Sequence, residues 1–124
     1  MTVLWIGLGG FIGANARYFL GRAIIERYGS AFPWGTLTVN VIGSLMIGIV
    51  LEFIAQRVIE NPAYRLFLVV GFLGGFTTLS TFAFETVSLL EDDKWARAIA
   101  YVLASNVVAI AACFAGVWVV RRLV

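Results

Sequence analysis

The stretch that decides the fold runs from Gly71 to Phe82 and reads GFLGGFTTLSTF. It lies near the middle of a hydrophobic segment that carries no charge from Leu66 to Phe84. Adjacent glycines lower helix stability by about 1 kcal/mol each relative to alanine, and here they are followed by a run of threonine and serine. The pattern predicts that a helix in this segment is broken near its middle.

The composition of the whole chain indicates that lipid is its main solvent. Of its 124 residues, 61% are hydrophobic and 13% are charged, and the mean hydropathy is +0.96. Soluble domains contain about half apolar and about a quarter charged residues, and a soluble chain this short could not bury so much apolar surface in one core. We therefore expect an integral membrane protein.

The residue inventory excludes several kinds of chemistry. The chain contains no histidine and a single cysteine, Cys113, which rules out an internal disulfide and the usual Cys/His metal sites. No nucleophile–base pair of the common kinds can be assembled, so we expect no enzyme. The net charge of +2 is too small to favour nucleic acid as a partner.

Four hydrophobic segments are each long enough to cross a bilayer, which requires about 20 apolar residues. We expect helices at about residues 2–22, 32–55, 65–90 and 95–120, in a single transmembrane domain that covers residues 1–124. The connections between them are short, so no soluble domain fits between the spans. The sequence therefore predicts an all-α membrane protein with four transmembrane helices, the third of which is broken in mid-membrane.

The positive charges that flank the spans give almost no instruction about orientation. Four spans place both termini on one side of the membrane. That side carries Arg57, Arg65, Arg121 and Arg122, and the other side carries Arg17, Arg22, Arg27, Lys94 and Arg97. Because orientation follows the difference between these counts, we predict that the chain inserts both ways and forms an antiparallel, dual-topology dimer. The alternative is a single orientation set by features outside this count.

The predicted break has a physical consequence at membrane depth. Irregular backbone survives there only where it is buried in protein or lines a wet cavity. It also exposes free carbonyls and amides, which is how membrane proteins build ion sites. The alternative is a kinked helix with no ion-binding role.

Small or polar residues recur at intervals of four in the other three segments. They are Gly9 and Gly13 in the first, Thr36, Asn40, Ser44 and Gly48 in the second, and Tyr101, Ser105 and Ala109 in the fourth. Such stripes let helices pack closely in lipid, and we favour that interpretation for the glycines. Asn40 differs, because a mid-span amide brings N–H donors that need partners.

Three motifs of this chain resemble those of the Fluc fluoride channels, also called CrcB proteins. Residues 9–14 (GGFIGA) with Arg17-Tyr18 are similar to the opening of that family, and Gly35-Thr36-Leu37 with Val39-Asn40 to its second-helix signature. Residues 74–82 (GGFTTLSTF) resemble its third-helix break. The motifs fall in the family's order and spacing, in a chain of the family's length.

The resemblance implies a passive channel that exports fluoride from the cytoplasm through the cell inner (plasma) membrane. It implies an antiparallel homodimer with two fluoride pores, which agrees with the charge count above. It also implies a structural sodium ion at the dimer centre, held by backbone carbonyls that correspond to those of Gly74 and Thr77.

The resemblance further implies a set of fluoride-pathway residues. They are Asn40, Phe82, Thr81, Ser105, Tyr101, Glu85 and Arg17. Two positions depart from the family's pattern: Leu79 stands where a phenylalanine is usual, and Ala109 where some members have a second fourth-helix serine. The departure at Leu79 removes one half of a pair of pore phenylalanines.

These side chains suit a small, strongly hydrated anion. A phenylalanine ring has a positive edge, so Phe82 turned edge-on would face fluoride with weak positive charge, and Asn40 and the hydroxyls would donate hydrogen bonds. A site without full charges both admits and releases an ion. For two charged residues the interpretation stays open: Glu85 is a pathway group or an acid at a helix end, and Arg17 concentrates anions or anchors its helix at the headgroups.

Three other functions compete with a homodimeric fluoride channel. A small multidrug exporter coupled to protons needs a carboxylate deep in its first helix, whereas the first segment here has no carboxylate and its only charge from Thr2 to Leu20 is Arg17. A non-conducting assembly subunit would explain the glycines but not the polar third segment. A heteromeric fluoride channel, in which a related subunit retains both phenylalanines, would explain Leu79.

Overall fold

The computed structural model describes residues 1–124, and all of its regular secondary structure is helical. The first helix spans Thr2–Tyr28, the second Trp34–Ala55 and the fourth Trp95–Leu123. The third segment spans Pro62–Glu91 in several pieces. All four are long and apolar enough to cross a membrane, so the predicted all-helical fold with four candidate spans is confirmed.

The third segment changes its backbone geometry along its length. It begins as an α-helix, Pro62–Arg65, continues as a π-helix, Leu66–Leu73, and adds one α-helical turn, Gly74–Phe76. After an interruption it resumes as an α-helix, Leu79–Glu91. We refer to residues 62–76 as the first half of the segment and to Leu79–Glu91 as the second half.

The interruption consists of two threonines in extended conformation. Thr77 has φ −87° and ψ 157°, and Thr78 has φ −151° and ψ 118°. The axis of the segment nevertheless bends by only 14°. The interruption is thus confined to two residues of an almost straight span, and a break that separates two half-helices stays a prediction.

Glycines bring the first helix into backbone contact with the first half of the third segment. A Cβ atom on Gly13 would collide with the carbonyl oxygen of Phe72, and one on Gly71 would lie 2.7 Å from the carbonyl oxygen of Ile6. The same holds at Gly9, whose Cβ would lie 2.8 Å from the amide nitrogen of Phe72. These glycines form the packing surface that the sequence indicated, because small residues allow close approach where no hydrophobic effect drives helices together.

A second glycine contact joins the second helix to the fourth. A Cβ atom on Gly48 would collide with the backbone of Cys113, and one on Gly116 would lie 3.0 Å from the amide nitrogen of Ile49. At the end of these two helices the buried carboxylate of Glu52 accepts a hydrogen bond of 2.9 Å from Arg121 Nε. Gln56 donates to the same carboxylate at 2.9 Å, so the two helices are tied together at this end.

Most of the chain's apolar surface faces outwards. Only 17 of 124 residues are buried, and large side chains such as Phe11 and Phe114 are 70% and 72% exposed. That surface would be unfavourable in water at about 25 cal/mol per Å². It is what a helix needs when lipid or a second membrane-embedded chain surrounds it.

Candidate functional site

The side chain of Asn40 holds the interruption in the third segment with two hydrogen bonds. Its Oδ1 accepts a hydrogen bond of 2.8 Å from the backbone N–H of Thr78, and its Nδ2 donates one of 2.9 Å to the Thr78 carbonyl oxygen. Both backbone groups of an extended residue are thereby satisfied in mid-span. Since a side-chain amide has two N–H groups, one donor remains for another partner.

Thr78 also starts the helix that follows the interruption. Its Oγ1 accepts a hydrogen bond of 3.2 Å from the Thr81 N–H and lies 3.0 Å from Thr81 Oγ1. A threonine in this position is a standard N-cap, which occupies one of the free amides of the first turn. Thr78 thus contacts Asn40 of the second helix through its backbone and Thr81 through its hydroxyl group.

Two carbonyl groups lose their usual helical partners at this point. In a continuous helix Gly74 O would accept from the Thr78 N–H, and Thr77 O from the Thr81 N–H. Here the first amide donates to Asn40 and the second to the Thr78 hydroxyl. The carbonyl oxygens of Gly74 and Thr77 therefore do not accept the usual helical hydrogen bond from the amide four residues further on.

A cavity of about 380 Å³ lies beside the interruption, and we call it the amide cavity. Its lining includes the polar residues Asn40, Ser44, Thr77, Thr78, Ser105 and Asn106. Phe82 and Leu79 supply part of its apolar wall. Ser105 is buried, and its Oγ is the one buried side-chain polar atom without a hydrogen-bond partner. An unsatisfied hydroxyl in a cavity wall is available to a bound ion or water.

A second cavity of about 460 Å³ lies on the other side of Thr78, and we call it the arginine cavity. Its lining includes Arg17, Arg22, Thr36, Thr81 and Glu85. Glu26 also lines it and forms an ion pair of 2.7 Å with Arg22, whereas Arg17 forms no ion pair. Thr78 lines both cavities, so they adjoin at this residue. We call the two hydrogen bonds between the Asn40 side chain and the Thr78 backbone the Asn40 clamp.

Glu85 joins three helices through neutral donors. Thr36 Oγ1 donates to one carboxylate oxygen at 2.8 Å, and the Tyr101 hydroxyl donates to the other at 2.7 Å. Tyr101 is fully buried, and the centre of its ring lies 5.1 Å from that of Phe82. The carboxylate is thus held in place by hydroxyls, without an arginine or lysine beside it.

The residues singled out from the sequence fall into two groups around Thr78. Asn40, Phe82, Ser105, Gly74 and Thr77 line the amide cavity. Arg17, Thr81 and Glu85 line the arginine cavity. Tyr101 lines neither and reaches the site through its hydrogen bond to Glu85.

Sequence reasoning missed the central position of Thr78. The available signal was a threonine directly before a resumed helical pattern, which is the usual place of an N-cap. The contact between Thr36 and Glu85 was also missed, although Thr36 had been placed on the polar stripe of the second helix. These residues are 49 positions apart, and no local pattern indicates their pairing.

Comparison of the amino-acid sequence with known proteins matches almost the whole chain to one family. The family profile described as "CrcB-like protein, Camphor Resistance (CrcB)" matches residues 4–117. The chain is 43% identical over 122 residues to a "Fluoride-specific ion channel FluC" of Rhizobium meliloti (strain 1021), an alignment that covers 98% of each chain. It is 46% identical over 123 residues to the protein of that name from Roseiflexus sp. (strain RS-1), with 99% of each covered.

A third relative agrees with these two. The "Fluoride-specific ion channel FluC" of Geobacter sulfurreducens (strain ATCC 51573 / DSM 12127 / PCA) is 44% identical over 122 residues, again with 98% of each chain covered. The matched residues contain both cavities and the Asn40 clamp on Thr78. With its four candidate spans and full-length relatives, this chain belongs to the CrcB-like family.

Proposed function

We propose that this chain is a passive, fluoride-selective ion channel that exports fluoride from the cytoplasm across the inner membrane. The observation that carries the proposal is the pair of hydrogen bonds between Asn40 and the backbone of Thr78, a residue that lines two cavities containing polar side chains near the middle of the span. Fluoride is proposed as the ion because the relatives that match over nearly their full length are named fluoride-specific channels. A channel of this kind performs no chemical reaction.

The donors along the two cavities suit an anion that must shed water. Arg17 would raise the local concentration of fluoride in the arginine cavity, because its guanidinium forms no ion pair with the carboxylates of that cavity. The free N–H of Asn40 and the unpartnered hydroxyl of Ser105 would then replace water in the amide cavity. Phe82 would add the positive edge of its ring. Donors without full charge hold the ion weakly enough to release it.

Glu85 takes part in this pathway as a positioning residue. An ionised carboxylate that faced fluoride would repel it, but both oxygens of Glu85 accept hydrogen bonds from hydroxyl groups. Its effect is to fix Thr36 and Tyr101, and through the Tyr101 ring to place Phe82. The carboxylate therefore organises the wall of the pathway instead of contacting the ion.

The carbonyl oxygens of Gly74 and Thr77 would hold the structural sodium ion. Sodium is a hard cation and is bound through oxygen, and carbonyls freed by an interrupted helix are a recurrent source of such ligands. The diversion of the Thr78 and Thr81 amides to side chains leaves these two carbonyls free for that use. No cluster of acidic, histidine or cysteine side chains competes for a metal ion. Bound there, sodium would neutralise carbonyl dipoles shared between two chains.

A second, inverted copy of the chain would complete the site. Gly74, Ser80 and Thr81 are exposed on the single chain, although polar groups at this depth require a partner other than lipid. Two inverted copies would bring their interruptions together and supply carbonyls from both sides. The near balance of positive charge on the two sides supports insertion in both directions.

Fluoride efflux from liposomes that contain only this purified protein tests the proposal. We expect robust efflux for the wild type and a loss of at least about tenfold for Asn40→Ala and for Phe82→Ile, since each removes a contact worth about 1–3 kcal/mol. Asn15→Ala is the matched control, because Asn15 lines neither cavity. Absence of fluoride efflux from a folded, dimeric wild type would refute the proposed function.

A heteromeric channel is a second candidate because of Leu79. This side chain is 78% exposed and contributes to the wall of the amide cavity, so a partner with an aromatic residue could cover it. The same liposomes separate the two candidates. Efflux from the purified chain alone supports the homodimer, and efflux that requires a co-expressed relative supports the heteromer.

A further inference from the structure

Asn106 is a polar residue of the fourth helix that the proposed pathway has not used. It follows Ser105 and lines the amide cavity together with Asn40 and Ala109. Its Nδ2 donates a hydrogen bond of 2.7 Å to the Val102 carbonyl oxygen of its own helix. That bond fixes the amide against the helix and leaves a second N–H and the side-chain oxygen without a partner.

Asn15 in the first helix provides an internal comparison. It too is exposed, and its Nδ2 donates a hydrogen bond of 2.7 Å to the carbonyl oxygen four residues earlier, that of Phe11. The two asparagines therefore have the same local geometry. They differ in that Asn106 lines the amide cavity and Asn15 lines neither cavity.

The position of Asn106 adds a second donor from the fourth helix to the amide cavity, beside that of Ser105. Ala109, three residues further on, lines the same cavity and has no polar side-chain atom. A side-chain N–H at Asn106 extends the row of donors that begins with Asn40 and Ser105. Because the intrahelical bond already orients the amide, little conformational entropy is lost when an ion accepts a hydrogen bond from it.

We propose that Asn106 is a further fluoride-pathway residue, which donates a hydrogen bond to the ion inside the amide cavity next to Ser105. This inference rests on the proposed fluoride-channel function. Asn106 acts by direct contact with the ion and carries no charge, so it does not slow release.

Fluoride efflux from liposomes that contain Asn106→Leu, compared with Asn15→Leu and the wild type, tests the inference. Leucine has the same number of side-chain heavy atoms as asparagine and the same branching, but it has no hydrogen-bond donor. We expect Asn106→Leu to lower the initial rate about tenfold, and Asn15→Leu to stay within about twofold of the wild type. Size-exclusion chromatography of each variant gives the fraction of dimer that entered the liposomes.

Equal rates for Asn106→Leu and the wild type overturn the inference alone, and a wild type that passes no fluoride overturns the proposed function with it. A rate that falls only in proportion to lost dimer assigns Asn106 to the interface between copies and also overturns the inference.

A second pair of variants covers the case in which Asn106→Leu does not fold. Asn106→Ser retains a donor and Asn106→Ala does not, so the serine variant should pass fluoride about threefold faster than the alanine variant. Equal rates for these two would contradict a donor role for Asn106.

Discussion

The first half of the third segment meets the first helix through backbone, with glycine on both sides of the contact. The second half, Leu79–Glu91, makes its contacts with other helices through side chains, among them those of Phe82 and Glu85. Only one of its residues, Leu89, is buried. The first half, residues 62–76, thus acts as a rigid scaffold, because its glycines have no side chains to separate the backbones. The second half presents side chains that could contact an ion or a second chain, and we call this surface of Leu79–Glu91 the polar face.

The largest expected effect comes from adding one methyl group to the scaffold. In Gly13→Ala the new Cβ would collide with the carbonyl of Phe72, and backbone on both sides cannot move aside. Overpacking of this kind costs about 1–3 kcal/mol and occasionally more. We expect a clear drop in the midpoint of thermal unfolding, measured by size-exclusion chromatography in detergent after heating.

Gly7→Ala is the control for that substitution. Gly7 lies in the same helix, and a Cβ there meets nothing within 4 Å. Alanine also favours a helix by about 1 kcal/mol over glycine, so this variant should melt at or above the wild-type midpoint. Equal midpoints for the two variants would show that the first half is not a rigid scaffold.

A smaller effect on stability and a larger one on transport should follow from Thr78→Val. Valine keeps the shape but loses the hydroxyl that caps the second half, at a cost of about 1 kcal/mol. We expect fluoride efflux to fall about tenfold, because the junction between the two cavities loses its polar group. Thr86→Val is matched to it, since that hydroxyl donates only to the Phe82 carbonyl and lines neither cavity.

Tyr101→Phe should have an intermediate effect on transport. The substitution keeps the ring beside Phe82 but leaves one oxygen of Glu85 without its donor. An unsatisfied polar group costs about 1–3 kcal/mol, and we expect efflux to fall about fivefold. If Tyr101 acts through Glu85, adding Glu85→Gln should cause less further loss than Glu85→Gln causes alone. Strictly additive losses would contradict the positioning role.

The smallest effect should come from restoring an aromatic ring to the polar face. Leu79→Phe changes a side chain that is 78% exposed, so the free energy of unfolding should change by less than about 0.5 kcal/mol. Efflux should rise about twofold, from the additional ring edge in the amide cavity. Phe84→Leu is the opposite exchange at a residue that is 73% exposed and lines neither cavity, and it should leave efflux unchanged.

Much of the scaffold could be predicted from the sequence because its causes are local. Hydrophobic length alone identifies the four spans. The spacing of Gly9 and Gly13 predicts a packing surface, and the glycine–threonine run of residues 71–82 predicts irregular backbone in the stretch that contains the extended Thr77 and Thr78. Each of these features depends on neighbours within one helix.

The hydrogen bonds around the interruption and the polar face could not be predicted, because the residues that they join are distant in the chain. Thr77 and Thr78 are equivalent in sequence, and only the position of Asn40, 38 residues away, distinguishes them. The hydrogen bond from Thr36 to Glu85 likewise joins residues of two different helices. The proposed inverted pair depends on a second chain, for which a charge difference of one residue is the only local signal.

The tie between Glu52 and Arg121 closes one end of the second and fourth helices, while the other end holds Glu85 and its hydroxyl donors. In a single chain these ends differ, so the molecule is polar along the membrane normal. In the proposed inverted pair, each face of the bilayer would display one end of each kind. Such an assembly would be electrically symmetric across the membrane, so its current should show no rectification. The electrochemical gradient of fluoride alone should then decide the direction in which the ion moves.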